Sequence, residues 1–294
     1  MTATLKAVKP GIVKPGKPKI MISGGSGAGK TYFALDFPKP YLIDTESGAT
    51  RQQYIEKLLK DGGAYFGKEQ GSQNFKSVVD EFKTLATIKH DYKTVILDSF
   101  TYVYLLEAAS AEETVGNDFG KDKKEANKPS RQLLRWMDAM DMSVILIAHK
   151  KDKYEKTENK KEREYAGTTF DGYDKLEFIL DLWVEIELIG KNRRFRVKKS
   201  RITEFPVGES FPLDYKKFAS MYGEEIINGD VRPFILATQD QVYEMNALLE
   251  VVKISADEIG KWFKQAGVSA WEEMSSDTIE KCITFVKKKI PVSK

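Results

Sequence analysis

Eight consecutive residues near the start of the chain have the types and spacing needed to bind a polyphosphate. Residues 24–31 read Gly-Gly-Ser-Gly-Ala-Gly-Lys-Thr, the complete pattern G-x-x-x-x-G-K-[ST]. Glycines let backbone N–H groups curve around phosphate oxygens, the lysine reaches the β- and γ-phosphates, and the hydroxyl that follows can ligate Mg²⁺. We therefore expect ATP and Mg²⁺ as ligands, with the nucleotide contacted by Gly24, Gly25, Ser26, Gly27, Ala28, Gly29, Lys30 and Thr31.

A site that hydrolyses a nucleotide also needs an acid for the metal and a base for the attacking water. Asp98 ends the apolar run 94–98 and is predicted to hold Mg²⁺ together with Thr31. The next residue is Ser99, at the position where AAA+ enzymes usually place a catalytic glutamate, so the base must come from elsewhere. Glu46 follows the apolar run 41–44 and is predicted to activate water, with Asp44 as the competing candidate.

A third requirement is a polar group that detects the γ-phosphate. His149 follows the apolar run 143–148, and a neutral histidine can donate a hydrogen bond to a phosphate oxygen. We therefore predict that His149 is this sensor. A structural histidine is the alternative reading of the same residue.

These positions require strands that alternate with helices. Apolar runs at 19–23, 41–44, 94–98 and 143–148 are typical of buried strands, and helical spacing of apolar residues occurs near 74–87 and 131–140. The pattern predicts an α/β fold with a mostly parallel sheet covered by helices on both faces. Residues 150–172 are rich in Lys and Glu and are predicted to be a long loop, and 182–198 to be a β-hairpin.

The chain divides into three predicted parts. Residues 1–18 form a basic extended arm, 19–237 the core, and 238–294 a small helical module. In the module, Thr238 and Ser255 each precede Gln or Glu by three residues, which predicts two capping boxes, and Gly267 is predicted to end a helix.

Composition excludes several kinds of protein. With 294 residues, 41% hydrophobic and 31% charged, the chain can bury a core without disulfides. Cys282 is the only cysteine, which rules out an internal disulfide and a zinc site built from cysteines. No apolar run reaches the roughly 18 residues of a membrane span, and we expect a cytoplasmic protein. The net charge is only +3, but the basic run 191–201 contains no acid, so it is predicted either to meet an anion or to protect a strand edge.

The order of these features resembles the ATPase core of RecA-type recombinases and DnaB-type helicases, over about residues 18–235. Within that group the chain most resembles phage-encoded RecA-like ATPases of single-strand annealing and recombination. The segments 40–48 and 145–150 are similar to the second-strand and sensor-strand signatures of that group. The resemblance implies a RecA-like P-loop NTPase fold with a β-hairpin extension and a DNA-stimulated, Mg²⁺-dependent ATPase, in the host cytoplasm if the protein is viral.

The resemblance also implies roles for individual residues. Glu46 matches the catalytic glutamate, and His149 stands where RecA has a glutamine. Lys199 and Arg201 match lysines that enter the ATP site of a neighbouring subunit, which implies a homo-oligomer with ATP at subunit interfaces. The helical module is similar to tails that contact single-strand-binding protein.

The loop 150–172 lies where RecA-type proteins contact DNA, and this implies binding of single-stranded DNA. Cations that follow phosphates and rings that stack on bases suit such a strand, and Tyr154, Tyr165 and Phe170 supply the rings. Five acids dilute the charge, so a merely solvated loop is the alternative. The predicted DNA-binding cations are Lys150, Lys151, Lys153, Lys156, Lys160, Lys161 and Arg163.

We therefore expect a protein that hydrolyses ATP and acts on single-stranded DNA in recombination, annealing or repair. The alternatives are an AAA+-type helicase loader or remodeller, an ATP-switched module that recruits a partner, and a small-molecule kinase. The serine after Asp98 argues against the first of these.

Overall fold

The computed structural model describes residues 16–116, 121–156 and 163–290. It contains two compact units, one built from residues up to 73, 92–105 and 142–230, the other from 74–91, 106–141 and 231 onward. Most of the predicted arm 1–18 lies outside the described residues. The predicted division at 237/238 stays a prediction, although the second unit also includes helical segments that come earlier in the chain.

The first unit is organised by a sheet in which the described residues form nine strands, in the order β3-β2-β4-β5-β1-β7-β8-β9, with β6 paired to β5. The six strands from β3 to β7 in this order are parallel, and β6, β8 and β9 run antiparallel to their neighbours. The predicted α/β class with a mostly parallel sheet is confirmed. The strands are β1 (Lys19–Gly24), β2 (Pro40–Asp44), β3 (Ala64–Phe66), β4 (Thr94–Asp98), β5 (Ser143–Lys156), β6 (Arg163–Phe170), β7 (Leu182–Ile189), β8 (Asn192–Ser200) and β9 (Ser210–Pro212).

Strand register brings the separate sequence motifs to one edge of the sheet. The last residue of β1, Gly24, lies opposite His149 of β5 and Ile186 of β7. Asp44 at the end of β2 lies opposite Asp98 at the end of β4. Because the carboxyl ends of parallel strands share an edge, the phosphate-loop, acid and sensor residues are neighbours there.

An aromatic core holds one face of this sheet against short helices. Phe33 of the first helix and Phe37, three residues after its end, pack with Phe195 of β8, Phe205 and Phe218, at ring-centroid separations of 5.0–6.3 Å. All five side chains are buried, and each buried Phe contributes roughly 1.5–3 kcal/mol by leaving water. The helices are α1 (Lys30–Ala34), α2 (Gln52–Lys60), α3 (Phe75–Thr87), α4 (Phe100–Val115), α5 (Lys121–Ala139), α6 (Tyr215–Tyr222), α7 (Glu224–Ile227), α8 (Gln239–Val251), α9 (Ala256–Ala266) and α10 (Ser276–Lys287).

The second unit contains the helices of the chain's last segment. Thr238 and Gln241 form the predicted capping box of α8, Ser255 accepts a hydrogen bond from the Glu258 backbone N–H at the start of α9, and Gly267 ends α9 in the left-handed conformation. Their common core includes Val242, Met245, Ile279, Ile283 and Val286. No helix in the described part of the chain is both long and apolar enough to cross a membrane.

The prediction that 150–172 is a loop is wrong. Strand β5 continues through Lys156, and β6 returns antiparallel to it from Arg163 to Phe170, so the described part of the segment is a two-stranded ribbon. Its tyrosines and threonines favour extended backbone, and cross-strand pairs such as Tyr154 and Tyr165 stabilise it. The charge density that suggested a loop is tolerated because the ribbon side chains face water. The predicted 182–198 hairpin is confirmed as β7 and β8.

Candidate functional site

The phosphate loop joins β1 to α1 and has the backbone geometry that its glycines allow. Gly27 and Gly29 have φ of 72° and 100°, in the left-handed region that disfavours residues with a Cβ. A Cβ on Gly24 would lie 2.8 Å from the carbonyl oxygen of Ile186. The Lys30 ammonium donates to the carbonyl oxygens of Gly24 and Gly25 at 3.0 and 2.9 Å. The loop therefore curves around the Lys30 ammonium, which is the group expected to contact the phosphates of a nucleotide.

Thr31 and Asp98 come together as the predicted metal-binding pair. The Thr31 hydroxyl donates to Asp98 Oδ2 at 2.5 Å. Burial raises the pKa of Asp98 to about 6, although the hydrogen bond from Thr31 acts in the opposite direction. Burial also lowers the pKa of Lys30, despite the nearby carboxylates of Asp98 and Glu46. A divalent cation beside Asp98 would favour its charged form.

The residues present fit Mg²⁺ bound through a nucleotide. One hydroxyl and one carboxylate converge at the end of β4, and Mg²⁺ usually takes one or two such protein ligands together with phosphate oxygens and water. Among the described residues, no group of three or more His, Cys, Asp or Glu side chains is arranged to hold a metal. The geometry therefore favours an ion that arrives with its nucleotide.

Glu46 lies in a cluster with two other polar side chains. Its Oε1 accepts a hydrogen bond from the Ser99 hydroxyl and lies 2.7 Å from His149 Nε2. The same histidine nitrogen lies 3.5 Å from the Ser99 oxygen. Side chains from just after β2, just after β4 and the middle of β5 thus meet at the Glu46 carboxylate, whose side chain is partly exposed.

Ser99 has a structural task that explains the absence of a glutamate there. Its hydroxyl oxygen accepts a hydrogen bond from the backbone N–H of Tyr102 at 3.2 Å, which caps the start of α4. The Thr45 hydroxyl accepts from the Ser99 N–H at 2.8 Å and donates to the Ser99 carbonyl at 3.0 Å. The peptide bond between Asp98 and Ser99 is cis. The Ser99 hydroxyl therefore caps α4 and contacts Glu46 at the same time.

Asp44, the competing candidate for the base, is occupied elsewhere. Its side chain is buried. Its two oxygens accept hydrogen bonds from the backbone of Gly48 and Ala49 and from the Tyr65 hydroxyl, at 2.9–3.2 Å. These bonds close the turn that carries Glu46. Asp44 and Glu46 both line the cavity of about 390 Å³ beside the phosphate loop, but these bonds engage both oxygens of Asp44 in holding the turn, which favours Glu46 as the base.

Two of the cavities beside the phosphate loop include Lys30 in their lining. One, of about 390 Å³, is lined by Lys30, Thr31, Glu46, Asp98 and His149, so it contains the groups expected to act on the γ-phosphate. The other, of about 690 Å³, is lined by Gly29, Lys30, Tyr32, Tyr54, Arg193 and Leu213 among others. Lys30 and Thr31 line both. A nucleotide laid across the loop would therefore occupy both cavities.

Lys199 and Arg201 lie away from the phosphate loop of their own chain. In the β7–β8 register Lys199 pairs with Trp183, near the start of β7, whereas Gly24 lies opposite Ile186. Lys199 donates to the carbonyl of Leu180, and Arg201 donates to those of Phe178 and Ile179. Burial and the charge of Arg201 lower the pKa of Lys199. Their predicted role in a neighbouring subunit stays a prediction.

The described DNA-binding candidates are all paired with acids. Lys151 pairs with Asp171 at 2.9 Å and Lys153 with Glu155 at 2.7 Å, both at exposed positions where water and salt screen an ion pair and leave it a small contribution to stability. Lys150 instead pairs with Glu185, which is buried. The strands include Lys156 and Arg163, whose side chains are not described, and the predictions for Lys160 and Lys161 lie outside the described residues.

Two site features were not singled out from the sequence. Ser99 was noticed only as the lack of a glutamate, and its contact with Glu46 depends on the packing of β2 against β4. Arg193 was one of many cations in the run 191–201, yet its Nε donates to the phosphate-loop carbonyl of Ala28 at 3.1 Å. Arg193 lies two residues before the buried Phe195, on the same face of β8, and this spacing is the signal that could have distinguished it from the other cations.

The chain is similar to a protein-family model and to a set of solved structures. Residues 16–206 match the family model AAA_24, described as an AAA domain. No curated protein matches the chain. Among the solved structures 104 chains match, and one of them is entitled "Crystal structure of the RadB recombinase". That chain is 18% identical, with 66% of this chain and 86% of that one covered at a TM-score of 0.42. The family match spans more than half of the 294 residues, so this chain belongs to the AAA_24 family of AAA domains and is a P-loop ATPase.

Proposed function

We propose that the protein hydrolyses Mg²⁺-bound ATP and couples hydrolysis to single-stranded DNA in recombination, annealing or repair, in a phage context. The observation that carries the hydrolytic part is the Glu46 carboxylate, held by Ser99 and His149 beside Lys30, Thr31 and Asp98. This arrangement provides phosphate binding, metal ligands and a base in one cleft.

Different residues of the chain bind the phosphates, hold the metal and activate the water molecule. Lys30 and the loop N–H groups bind the triphosphate, and Thr31 and Asp98 would hold Mg²⁺. When bound, Mg²⁺ supplies positive charge against the phosphate oxygens. Glu46 orients a water molecule and accepts its proton, while Ser99 fixes the carboxylate. When the nucleotide binds, the His149 ring N–H leaves Glu46 and donates a hydrogen bond to the γ-phosphate.

Continuity of β5 supports the proposed coupling to DNA. This strand has 14 residues and carries His149 in the cleft and Tyr154 on the ribbon. Tyr154 and Tyr165 are 56% and 61% exposed, and their rings lie 6.0 Å apart. Exposed aromatic rings beside lysines suit stacking on the bases of a single strand. We propose that the ribbon binds DNA through these rings and through Lys151 and Lys153.

Turnover measurements on the full chain test this proposal. ATP hydrolysis is measured alone, with single-stranded DNA and with double-stranded DNA. We expect single-stranded DNA to raise the rate, Lys30→Ala to abolish turnover, and the exposed control Lys76→Ala to leave it unchanged. The DNA part is wrong if DNA binding is undetectable and turnover and nucleotide affinity do not respond to DNA.

The match to an AAA domain favours one second candidate, an ATP-driven remodeller or helicase loader. In that case turnover would respond to a protein partner and would not depend on DNA. We also propose a homo-oligomer with ATP at subunit interfaces, and recruitment of single-strand-binding protein by residues 238–294. The mass of the protein in solution with and without ATP tests the first of these, and co-sedimentation with single-strand-binding protein the second.

A further inference from the structure

Arg193, from the basic run 191–201, lies at the phosphate loop of its own chain, in a cavity that Lys191 also lines. The hairpin turns at Gly190, whose φ is 62°, and returns along β8 with Arg193 opposite Leu188. From there the Arg193 Nε donates to the carbonyl oxygen of Ala28 at 3.1 Å. The Arg193 carbonyl accepts from the N–H of Leu213 at 3.1 Å, which fixes the backbone at this point.

Strand alternation explains why this particular residue reaches the loop. Arg193 and Phe195 are two residues apart and lie on the same face of β8. Phe195 is buried, with its ring centroid 6.3 Å from that of Phe33 in α1. The Arg193 side chain therefore lies over the residues at the start of α1. A Cβ on Gly29 would lie 3.4 Å from the Arg193 Cδ and Nε, so the Arg193 side chain lies directly against the phosphate loop.

The charge of Arg193 is not neutralised within the described part of the chain. There, no carboxylate lies in ion-pair contact with it, and its hydrogen bond to Ala28 uses only Nε of five possible N–H donors. Arg196 differs because it pairs with Glu187, whereas Arg194, which like Arg193 donates to a backbone carbonyl, contacts Ser210 and not the phosphate loop. An uncompensated guanidinium that lines a cavity beside Lys30 is suited to bind an anion in a bidentate manner.

The two cavities decide which part of a nucleotide Arg193 can meet. Glu46, Asp98 and His149 line the smaller cavity of about 390 Å³, and Arg193 does not. Arg193 lines the larger one of about 690 Å³ with Tyr32 and Tyr54. The γ-phosphate belongs beside Glu46, so the larger cavity receives the nucleoside end and the phosphate nearest to it.

We infer that Arg193 is a nucleotide-binding residue that acts within its own chain, on the α-phosphate side of the nucleotide. The inference rests on the proposed function, since it requires that the cleft binds ATP. Arg193 thus differs from Lys199 and Arg201, whose predicted action is on a neighbouring subunit. A contact made equally before and during hydrolysis lowers KM and leaves kcat unchanged.

Binding of fluorescently labelled ADP and ATP to the full chain tests the assignment. Arg193→Ala removes charge-assisted hydrogen bonds, so we expect both nucleotides to bind about 10- to 100-fold more weakly, KM to rise and kcat to stay within about threefold. Arg193→Lys should lose less affinity because it keeps the charge, and Arg194→Ala is the matched control that should bind as the wild type does.

The outcomes of this experiment distinguish failure of the inference from failure of the proposed function. If wild-type protein binds ADP and Arg193→Ala binds it equally well, the inference is overturned while the proposed function stands. If Arg193→Ala weakens ATP alone, or lowers kcat alone, the contact is to the γ-phosphate and the assigned side is wrong. If wild-type protein binds neither nucleotide, the proposed function and the inference fail together.

A mixing experiment tests whether Arg193 acts in its own chain. Lys30→Ala and Arg193→Ala proteins are combined and turnover is measured at a nucleotide concentration below the KM of Arg193→Ala. If Arg193 acts in its own chain, no site in a mixed oligomer has both residues, and we expect no gain over the sum of the separate proteins. Recovery above that sum would overturn the own-chain assignment.

Discussion

At the residue scale, the important feature of the cleft is that one carboxylate oxygen is shared by two partners. Ser99 donates to Glu46 Oε1, and His149 Nε2 lies 2.7 Å from the same atom. Ser99 cannot move freely, because its oxygen also caps α4 through the N–H of Tyr102. His149 is the partner that can exchange its contact for a phosphate oxygen. Glu46 is therefore held in place before the nucleotide binds and can be released on one side when it does.

Replacement of Glu46 tests its role as the base. Glu46→Gln keeps the shape of the side chain but cannot accept a proton, so we expect kcat to fall by about 10²–10⁴-fold. Binding of labelled ATP should stay within about threefold of wild type, because this carboxylate does not hold the phosphates. The exposed Glu250→Gln serves as control in the same ATPase assay. A kcat unchanged in Glu46→Gln would assign the base to another residue.

Replacement of Ser99 separates its two tasks. Ser99→Ala loses the cap of α4, and we expect the free energy of unfolding in urea to fall by about 1 kcal/mol. The variant should also lose turnover, though less than Glu46→Gln does, because the carboxylate remains but is no longer oriented. Ser255→Ala, which removes only the cap of α9, is the comparison for the stability part. Equal turnover by Ser99→Ala and wild type would exclude the orienting role.

At the element scale, Glu185 ties the exposed ribbon to the sheet. This glutamate of β7 is 4% exposed and contacts Lys150 of β5, Thr168 of β6 and Lys198 of β8, at 2.7, 3.0 and 3.2 Å. Burial by itself would raise the pKa of Glu185, but the hydrogen bonds from these three residues hold it below its ordinary value of 4.5. Four strands thus meet at one charged side chain beside the phosphate loop.

Glu185→Gln should therefore destabilise the fold in a pH-dependent way. It leaves two lysines without their carboxylate, and because both are partly exposed we expect a loss of about 1–3 kcal/mol at pH 7. A lowered carboxylate pKa stabilises the folded state above the ordinary value and loses this effect as the pH falls through the folded value. The difference from wild type in urea unfolding should therefore shrink below pH 4.5.

The matched control is Glu187→Gln, two residues further along β7, which removes the exposed pair with Arg196. We expect this control to change stability by about 1 kcal/mol or less at any pH. A difference between Glu185→Gln and wild type that stays constant between pH 7 and acid pH would show that the ionisation of Glu185 does not contribute to folding.

The ribbon carries its own prediction. Removal of both rings in Tyr154→Ala/Tyr165→Ala should weaken binding of single-stranded DNA by about 1–3 kcal/mol for each base that stacks. ATP turnover without DNA should not change, because neither ring lines the cleft. Fluorescence anisotropy of a labelled oligonucleotide measures the binding, and Tyr243→Ala, which removes a 77% exposed ring on α8, is the control. Unchanged DNA binding by the double variant would remove the ribbon from the proposal.

At the scale of the whole molecule, the cleft is distinguished by which cations lie at the phosphate loop of their own chain and which do not. Arg193 lies at the phosphate loop of its own chain, whereas Lys199 and Arg201 lie near the other end of β7 and donate to backbone carbonyls there. Neither of the latter two can serve its own loop from that position. If they act in hydrolysis, they must do so on a neighbouring copy of the chain.

Mixed oligomers test this arrangement directly. Arg201→Ala alone should lower kcat by about 10³-fold or more if it acts like an arginine finger. Combining it with Lys30→Ala should restore turnover, because some sites then contain an intact Lys30 and an intact Arg201 from different chains. The mixture of Lys30→Ala with Glu46→Gln should show no such recovery, since both residues belong to one chain's site. Failure of the first mixture to recover would contradict action across the interface.

The features that depend on local chemistry can be predicted from the amino-acid sequence. The phosphate loop, the acid at the end of β4, the helix caps at Thr238 and Ser255 and the alternating hairpin could be predicted, because glycine conformation, capping and side-chain periodicity are set by neighbouring residues. Strand ends with polar residues also indicated which positions would meet at one edge of a parallel sheet.

The way in which these residues share their hydrogen-bond partners depends on long-range packing and strand register. The charge of residues 150–172 predicts a loop, whereas the ribbon in their described part follows from cross-strand pairing, which a segment dominated by charge does not reveal. The selection of Glu46 over Asp44 depends on the hydrogen bonds that bury Asp44. Arg193 could not be separated from the surrounding cations, since its place at the phosphate loop follows from the register between β7 and β8. Register and packing join residues far apart in the chain, and neither composition nor spacing records them.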